Sequence, residues 1–199
     1  RRIDDDDRVA ELARMLAGGR ALLLSETCLA LGVIFASLAI PLGLDARWTS
    51  AAWAVEGAGI VWLGLRQQRV MARAFALLLQ AGAALAFVSE LRGGQTSLLD
   101  APPLGALLLG VALLFSFWQL RRAGPPQRAV WEGWLLPGLA GAGLGFVYLL
   151  APLLFQVPGT TIGWALLGLL SLLAGLRLAS RTVVACALAV QVGAGLMFF

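Results

Sequence analysis

LGALLLGVALLFSFWQL, residues 104–120, contains no charged side chain and is followed at once by Arg121 and Arg122. As an α-helix its 17 residues rise about 25 Å, most of the roughly 30 Å hydrocarbon core of a bilayer. A water-soluble globule could bury such a run only if the rest of the chain were polar enough to cover it. It is not: 60% of the 199 residues are hydrophobic, 13% are charged and the mean hydropathy is +0.86. A soluble domain carries about 25% charged residues. The stretch therefore reads as one span of a membrane protein.

Working outward, six more apolar stretches are long enough to cross. The expected spans are 21–43, 48–65, 72–90, 104–120, 130–151, 160–176 and 182–199, an all-α polytopic transmembrane bundle of about seven helices. Before them, residues 1–20 are polar, with an acidic run Asp4–Asp7. Val9, Leu12, Ala13 and Leu16 then recur at helical spacing, which predicts a short interfacial helix. Pro102-Pro103 and Pro125-Pro126 are expected to punctuate the loops around the fourth span.

All 15 basic residues are arginine; lysine and histidine are absent. That excludes Ser-His-Asp chemistry, His-ligated metals, a P-loop lysine and a Schiff base. No cofactor and no metal site are expected. Cys28 and Cys186 fall in apolar segments and read as inert thiols. The arginines sit in short loops, thirteen on one side of the expected topology and two on the other. This distribution points to membrane orientation rather than nucleic acid, and it places the N-terminus in the cytoplasm.

Shifted by 111 residues, segment 21–87 aligns with 132–198 without a gap and with 21 identities in 67 positions. Chance in so Leu/Ala/Gly-rich a chain gives on the order of eight. The matches include Thr49, Trp53, Gly57, Gly64, Arg66 and Gln80 against Thr160, Trp164, Gly168, Gly175, Arg177 and Gln191. Spans one to three are thus expected to be equivalent to spans five to seven. Four spans return the chain to its starting side, so the copies are parallel, related by an axis along the membrane normal. The domain reading is a polar segment 1–20, a first four-helix unit 21–129 and an incomplete second unit 130–199. On this reading the chain is a section of a larger protein.

The block Leu44-Asp45-Ala46-Arg47-Trp48-Thr49-Ser50-Ala51-Ala52-Trp53-Ala54-Val55-Glu56-Gly57, continued by Val61-Trp62-Leu63-Gly64-Leu65-Arg66, resembles large multi-spanning bacterial inner-membrane proteins that carry domain of unknown function 2339. The resemblance implies a many-helix protein of the bacterial cytoplasmic membrane. Its partners would be the lipid bilayer and the remaining transmembrane helices of the full-length protein. It implies no reaction and no specific ligand.

Polar groups inside the spans are the candidate site. Glu56 lies ten residues from Arg66, about 15 Å by helical rise and close to mid-bilayer. An ionised carboxylate there costs at least about 2.5–3.5 kcal/mol unless paired, solvated or protonated. It is either a coupling or ligand-binding acid or a hydrogen-bonded link between helices. With no intramembrane cation at its depth, it is expected to be mostly protonated and to meet an amide, Gln191 or Gln80. The fifth span carries Pro137, which favours a kink, and Gly141 and Gly145 at the G-x-x-x-G spacing of close helix contacts. Three functions remain: a non-catalytic helical-repeat module, a transport module coupled through Glu56, and an intramembrane enzyme. The absence of a visible acid–base pair argues against the last. A non-catalytic module is the expectation.

Overall fold

The computed structural model describes residues 46–90, 101–155 and 157–198, together with Leu24, Ser25, Thr27, Cys28, Leu31, Gly32, Phe35 and Ala39. Those eight are helical. The expected interfacial helix, most of the expected span 21–43 and the loop 91–100 lie outside the described residues. Residues 1–43 and 44–199 form two separate units.

Among its described residues the second unit has six helices and no strand. They are α1 (Ala46–Arg66), α2 (Val70–Glu90), α3 (Ala101–Ala123), α4 (Val130–Leu154), α5 (Val157–Arg177) and α6 (Arg181–Phe198). The first five each cover an expected span and extend past it at one or both ends; α6 begins one residue before the expected span 182–199 and is described to Phe198. Among the described residues four segments are long and apolar enough to cross a membrane: Val70–Ser89, Pro102–Ala123, Val130–Leu154 and Gly159–Arg177. Arg181–Gly193 is a shorter apolar helix. Pro102 and Pro103, expected in a loop, stand instead in the first turn of α3. There a proline gives up an N–H that has no intrahelical partner anyway. Helix α4 continues unbroken through Pro137 and Pro152.

The helices pack as three antiparallel hairpins, α1–α2, α3–α4 and α5–α6, with α3 also lying along α1 and α4 touching both α5 and α6. One core cluster joins Ala54, Ala58, Leu109, Ala112 and Leu113 with Phe87 and Phe146. The two phenylalanine rings meet edge to face at 5.7 Å. Helices α3 and α4 approach each other closely. A Cβ on Gly110 would lie 2.7 Å from Val147 Cγ2 and 3.0 Å from the Gly143 carbonyl oxygen, and one on Gly143 would lie 2.8 Å from Leu114 Cγ. The contact expected through Gly141 and Gly145 falls at Gly143 instead, because that position shares the α4 face turned to α3. Gly141 would meet only Cys186 Sγ at 3.8 Å, and a Cβ on Gly145 would meet nothing described within 4 Å.

The α1–α2 and α5–α6 turns share one geometry. In the first, Gln68 adopts φ 56°; its N–H bonds Leu65 O at 3.3 Å and the Arg69 N–H bonds Gly64 O at 2.9 Å. In the second, Ala179 adopts φ 49°, its N–H bonds Leu176 O at 3.1 Å and the Ser180 N–H bonds Gly175 O at 3.0 Å. Both are Schellman closures that satisfy otherwise orphaned carbonyls. Both place a non-glycine residue in the left-handed region, which costs about 1–2 kcal/mol.

Candidate functional site

Gln80 lies midway along α2 and is completely buried. Its Nε2 donates to Ala54 O of α1 at 3.2 Å and to Ala112 O and Ser116 Oγ of α3 at 3.3 and 2.9 Å. One amide thus joins three helices. The approach is possible because residue 57 is glycine: a Cβ there would fall 2.6 Å from Gln80 Cγ and 2.9 Å from Ala76 O. Gln80 Oε1 is buried with no hydrogen-bond partner among the described residues, a desolvation cost of about 1–3 kcal/mol that the three Nε2 contacts must outweigh.

Gln191 repeats part of this arrangement on α6. Its Nε2 donates to Ala165 O at 2.8 Å, and a Cβ on Gly168 would lie 2.7 Å from that nitrogen. Glu56 is half-buried on α1 and engaged in a polar interaction. Among the described residues both glutamine nitrogens donate to backbone carbonyls or to Ser116 Oγ. Helices α1 and α6 do not touch, so Gln191 is not brought to Glu56. Pro137 is exposed on α4.

A second polar centre lies at the arginine-rich ends of the helices. Arg73, in the first turn of α2, and Glu132, in the first turn of α4, are both buried. They form a bidentate pair, with Nε to Oε1 at 2.6 Å and Nη2 to Oε2 at 3.2 Å. Arg73 Nη1 also reaches Gly64 O at 3.2 Å, and Nη2 reaches Gln127 O at 3.5 Å. Glu132 Oε2 in turn accepts the Ala129 N–H at 2.7 Å, which satisfies a donor at the start of α4. Fork-to-fork pairing with the remaining donors satisfied is the geometry in which a buried ion pair holds. It ties the α1–α2 turn to the α3–α4 connection.

Sequence reasoning misses this pair. Charge counting treats Arg73 as a loop charge and passes over Glu132, yet a signal is present. Across residues 66–73, 121–132 and 177–181, Glu132 is the lone acid among eight arginines.

Other polar side chains also link elements. Tyr148 OH and Ser171 Oγ share a hydrogen bond between α4 and α5, and Trp164 Nε1 donates to Tyr148 O at 2.8 Å. Arg121 Nη2 donates to Leu178 O and Ala179 O in the α5–α6 turn. A cation there is favoured by the partial negative charge at the end of α5. No group of three or more His, Cys, Asp or Glu side chains able to hold a metal occurs among the described residues. Chemically, these side chains join backbone to side chain across helix contacts, and the Glu132 carboxylate is committed to Arg73.

No curated protein and no solved structure matches the chain. Residues 9–109, half of the sequence, match the family model described as a predicted membrane protein, DUF2339. With its apolar helices and the signature block at 44–66, the chain belongs to that family of membrane proteins of unknown function.

Proposed function

We propose that the chain is a non-catalytic helical-repeat module of a large bacterial cell-envelope protein. It lies in the cytoplasmic membrane with its N-terminus inside and seven spans arranged as two parallel units. One observation carries the repeat reading: features of the α1–α2 hairpin recur 111 residues later in α5–α6. Both turns close through the same two backbone bonds, and both carry a left-handed residue at the same place. Gln80 and Gln191 each reach a carbonyl on the preceding helix, Ala54 and Ala165, across a glycine. Such long-range agreement, down to single hydrogen bonds, is what duplication of a supersecondary unit produces.

The module reading is further supported by where the polar groups point. Gln80, Arg73, Glu132, Tyr148 and Trp164 are all engaged in contacts between helices. Single-cysteine labelling of a Cys28→Ala/Cys186→Ala chain tests the topology. Cysteines at Gln68, Gln127 and Ala179 should react with an impermeant maleimide only from the cytoplasmic side, and cysteines at Thr96 and Phe155 only from outside. The reverse pattern, or the two hairpin turns on opposite sides, would overturn parallel units with the N-terminus inside.

The transport alternative rests on Glu56. Glu56→Gln keeps shape and hydrogen-bonding capacity and removes only titration. In a non-catalytic module it should leave expression, melting midpoint and growth unchanged. Loss of growth or of a measured ion flux with the fold intact would favour a coupling acid instead.

A further inference from the structure

In the first hairpin α3 fills a seat along α1 and α2; among the described residues no helix fills the equivalent seat on α5–α6. Leu120 of α3 is buried against Leu65 and Leu77, which are 9% and 8% exposed. The residues 111 positions on, Leu176 and Leu188, are 63% and 52% exposed. Ala58, 7% exposed, corresponds to Leu169, 51% exposed. Between Leu176 and Leu188 runs an apolar groove of about 410 Å³ that is also lined by Ser180 and Val184. Two of its lining residues, Leu176 and Leu188, are the counterparts of Leu65 and Leu77, against which Leu120 packs in the first hairpin. One turn and more along the same face, Gln80 bonds Ala112 O and Ser116 Oγ of α3. Its counterpart Gln191 is only half-buried, and its one hydrogen bond among the described residues is to Ala165. Lipid tails cannot accept the second amide proton that α3 accepts in the first hairpin.

We propose that this open face of α5–α6 docks one further membrane-spanning helix of the α3 kind. That helix would carry the stripe small–x–x–x–Ser/Thr–x–x–x–Leu, which α3 presents as Ala112, Ser116 and Leu120. The leucine enters the groove between Leu176 and Leu188. One turn away, the hydroxyl-bearing residue faces Gln191 as Ser116 faces Gln80. Leu169 stands where the first seat has Ala58, which packs with Leu109 and Leu113 of α3, so the occupant is small where α3 carries those leucines. Lipid alone, or a second copy of the chain laid face to face, would leave the groove and the amide differently occupied.

The inference deepens the repeat reading and rests on it, but it fails separately: labelling can confirm parallel units while the seat stays empty. The test uses the full chain with Cys28→Ala, Cys186→Ala and Leu188→Cys in phosphatidylethanolamine/phosphatidylglycerol nanodiscs. The probe is a synthetic peptide of residues 101–123 with Leu109→Ala, Leu113→Ala and Leu120→Cys. Oxidation should join the peptide to the chain through the cysteine introduced by Leu188→Cys. Moving the chain cysteine to Val192, whose counterpart Ala81 is exposed even beside α3, should lower the yield about tenfold. Gln191→Leu in the chain, or Ser116→Leu in the peptide, should weaken capture about three- to thirtyfold, the range of one interhelical hydrogen bond. Equal yields at 188 and 192, or no adduct, would overturn the proposal. So would disulfide-linked dimers of the Leu188→Cys chain that the peptide does not displace, which would make a second copy the occupant.

Discussion

Glu132→Ala is expected to destabilise the helix bundle by about 3–5 kcal/mol, the usual consequence of removing one partner of a buried ion pair. The substitution leaves the Arg73 guanidinium at 1% exposure with two backbone carbonyls, Gly64 and Gln127, as its remaining acceptors. It also strips the Ala129 N–H of its partner at the start of α4. Neither carbonyl balances a full positive charge. Arg73→Ala should be comparably harmful, because the Glu132 carboxylate is then buried with one backbone donor. The double variant Arg73→Met/Glu132→Leu should recover most of the loss, since apolar residues of similar volume carry no desolvation cost. Trp131 and Trp134 flank Glu132, so tryptophan fluorescence during thermal unfolding in detergent micelles reads the transition locally. A Glu132→Ala variant that unfolds within about 1 kcal/mol of the parent would show that water already solvates the pair.

Gly57→Leu should be nearly as damaging, by about 3 kcal/mol or more, because overpacking here meets backbone as well as side chain. Even a Cβ at this position falls 2.9 Å from the Ala76 carbonyl oxygen, which cannot rotate away, and 2.6 Å from Gln80 Cγ. Helices α1 and α2 must separate, and Gln80 then loses its bond to Ala54. Gly168→Leu should act in the same direction on α5–α6. There the nearest atoms belong to the Gln191 side chain, at 2.7–3.1 Å. Because Gln191 is less enclosed than Gln80, it yields more easily and the effect should be smaller. Gly59→Leu is the control: a Cβ on Gly59 meets nothing described within 4 Å. Comparable losses at Gly57 and Gly59 would mean that helix propensity, not the close approach, sets the outcome.

The membrane class, the six described helices and the special standing of Gln80 were legible in the amino-acid order alone. Each depends on something local. An uncharged run of about 17 residues or more must be helical in lipid, where no other single segment satisfies its own backbone. A glutamine amid such a run demands a partner wherever the run ends up. Trp, Gln and Arg also align at an offset of 111 residues, and that alignment is the sequence basis of the proposed duplication.

What the linear order withheld is which neighbour each polar group meets. Glycine spacing on α4 pointed to Gly141 and Gly145, whereas the contact with α3 falls on Gly143, because the rotation of a helix about its axis is set by all its neighbours together. The same holds for Arg73 and Glu132, which are 59 residues apart. Charge counting sees an arginine near a helix end as a solvated orientation signal. Only the folding of the α3–α4 connection over the α1–α2 turn buries it against a carboxylate. Composition and periodicity decide what enters the membrane, since transfer free energy is a property of the segment. Packing decides which side chains pair, since that depends on distances between segments that no one segment encodes.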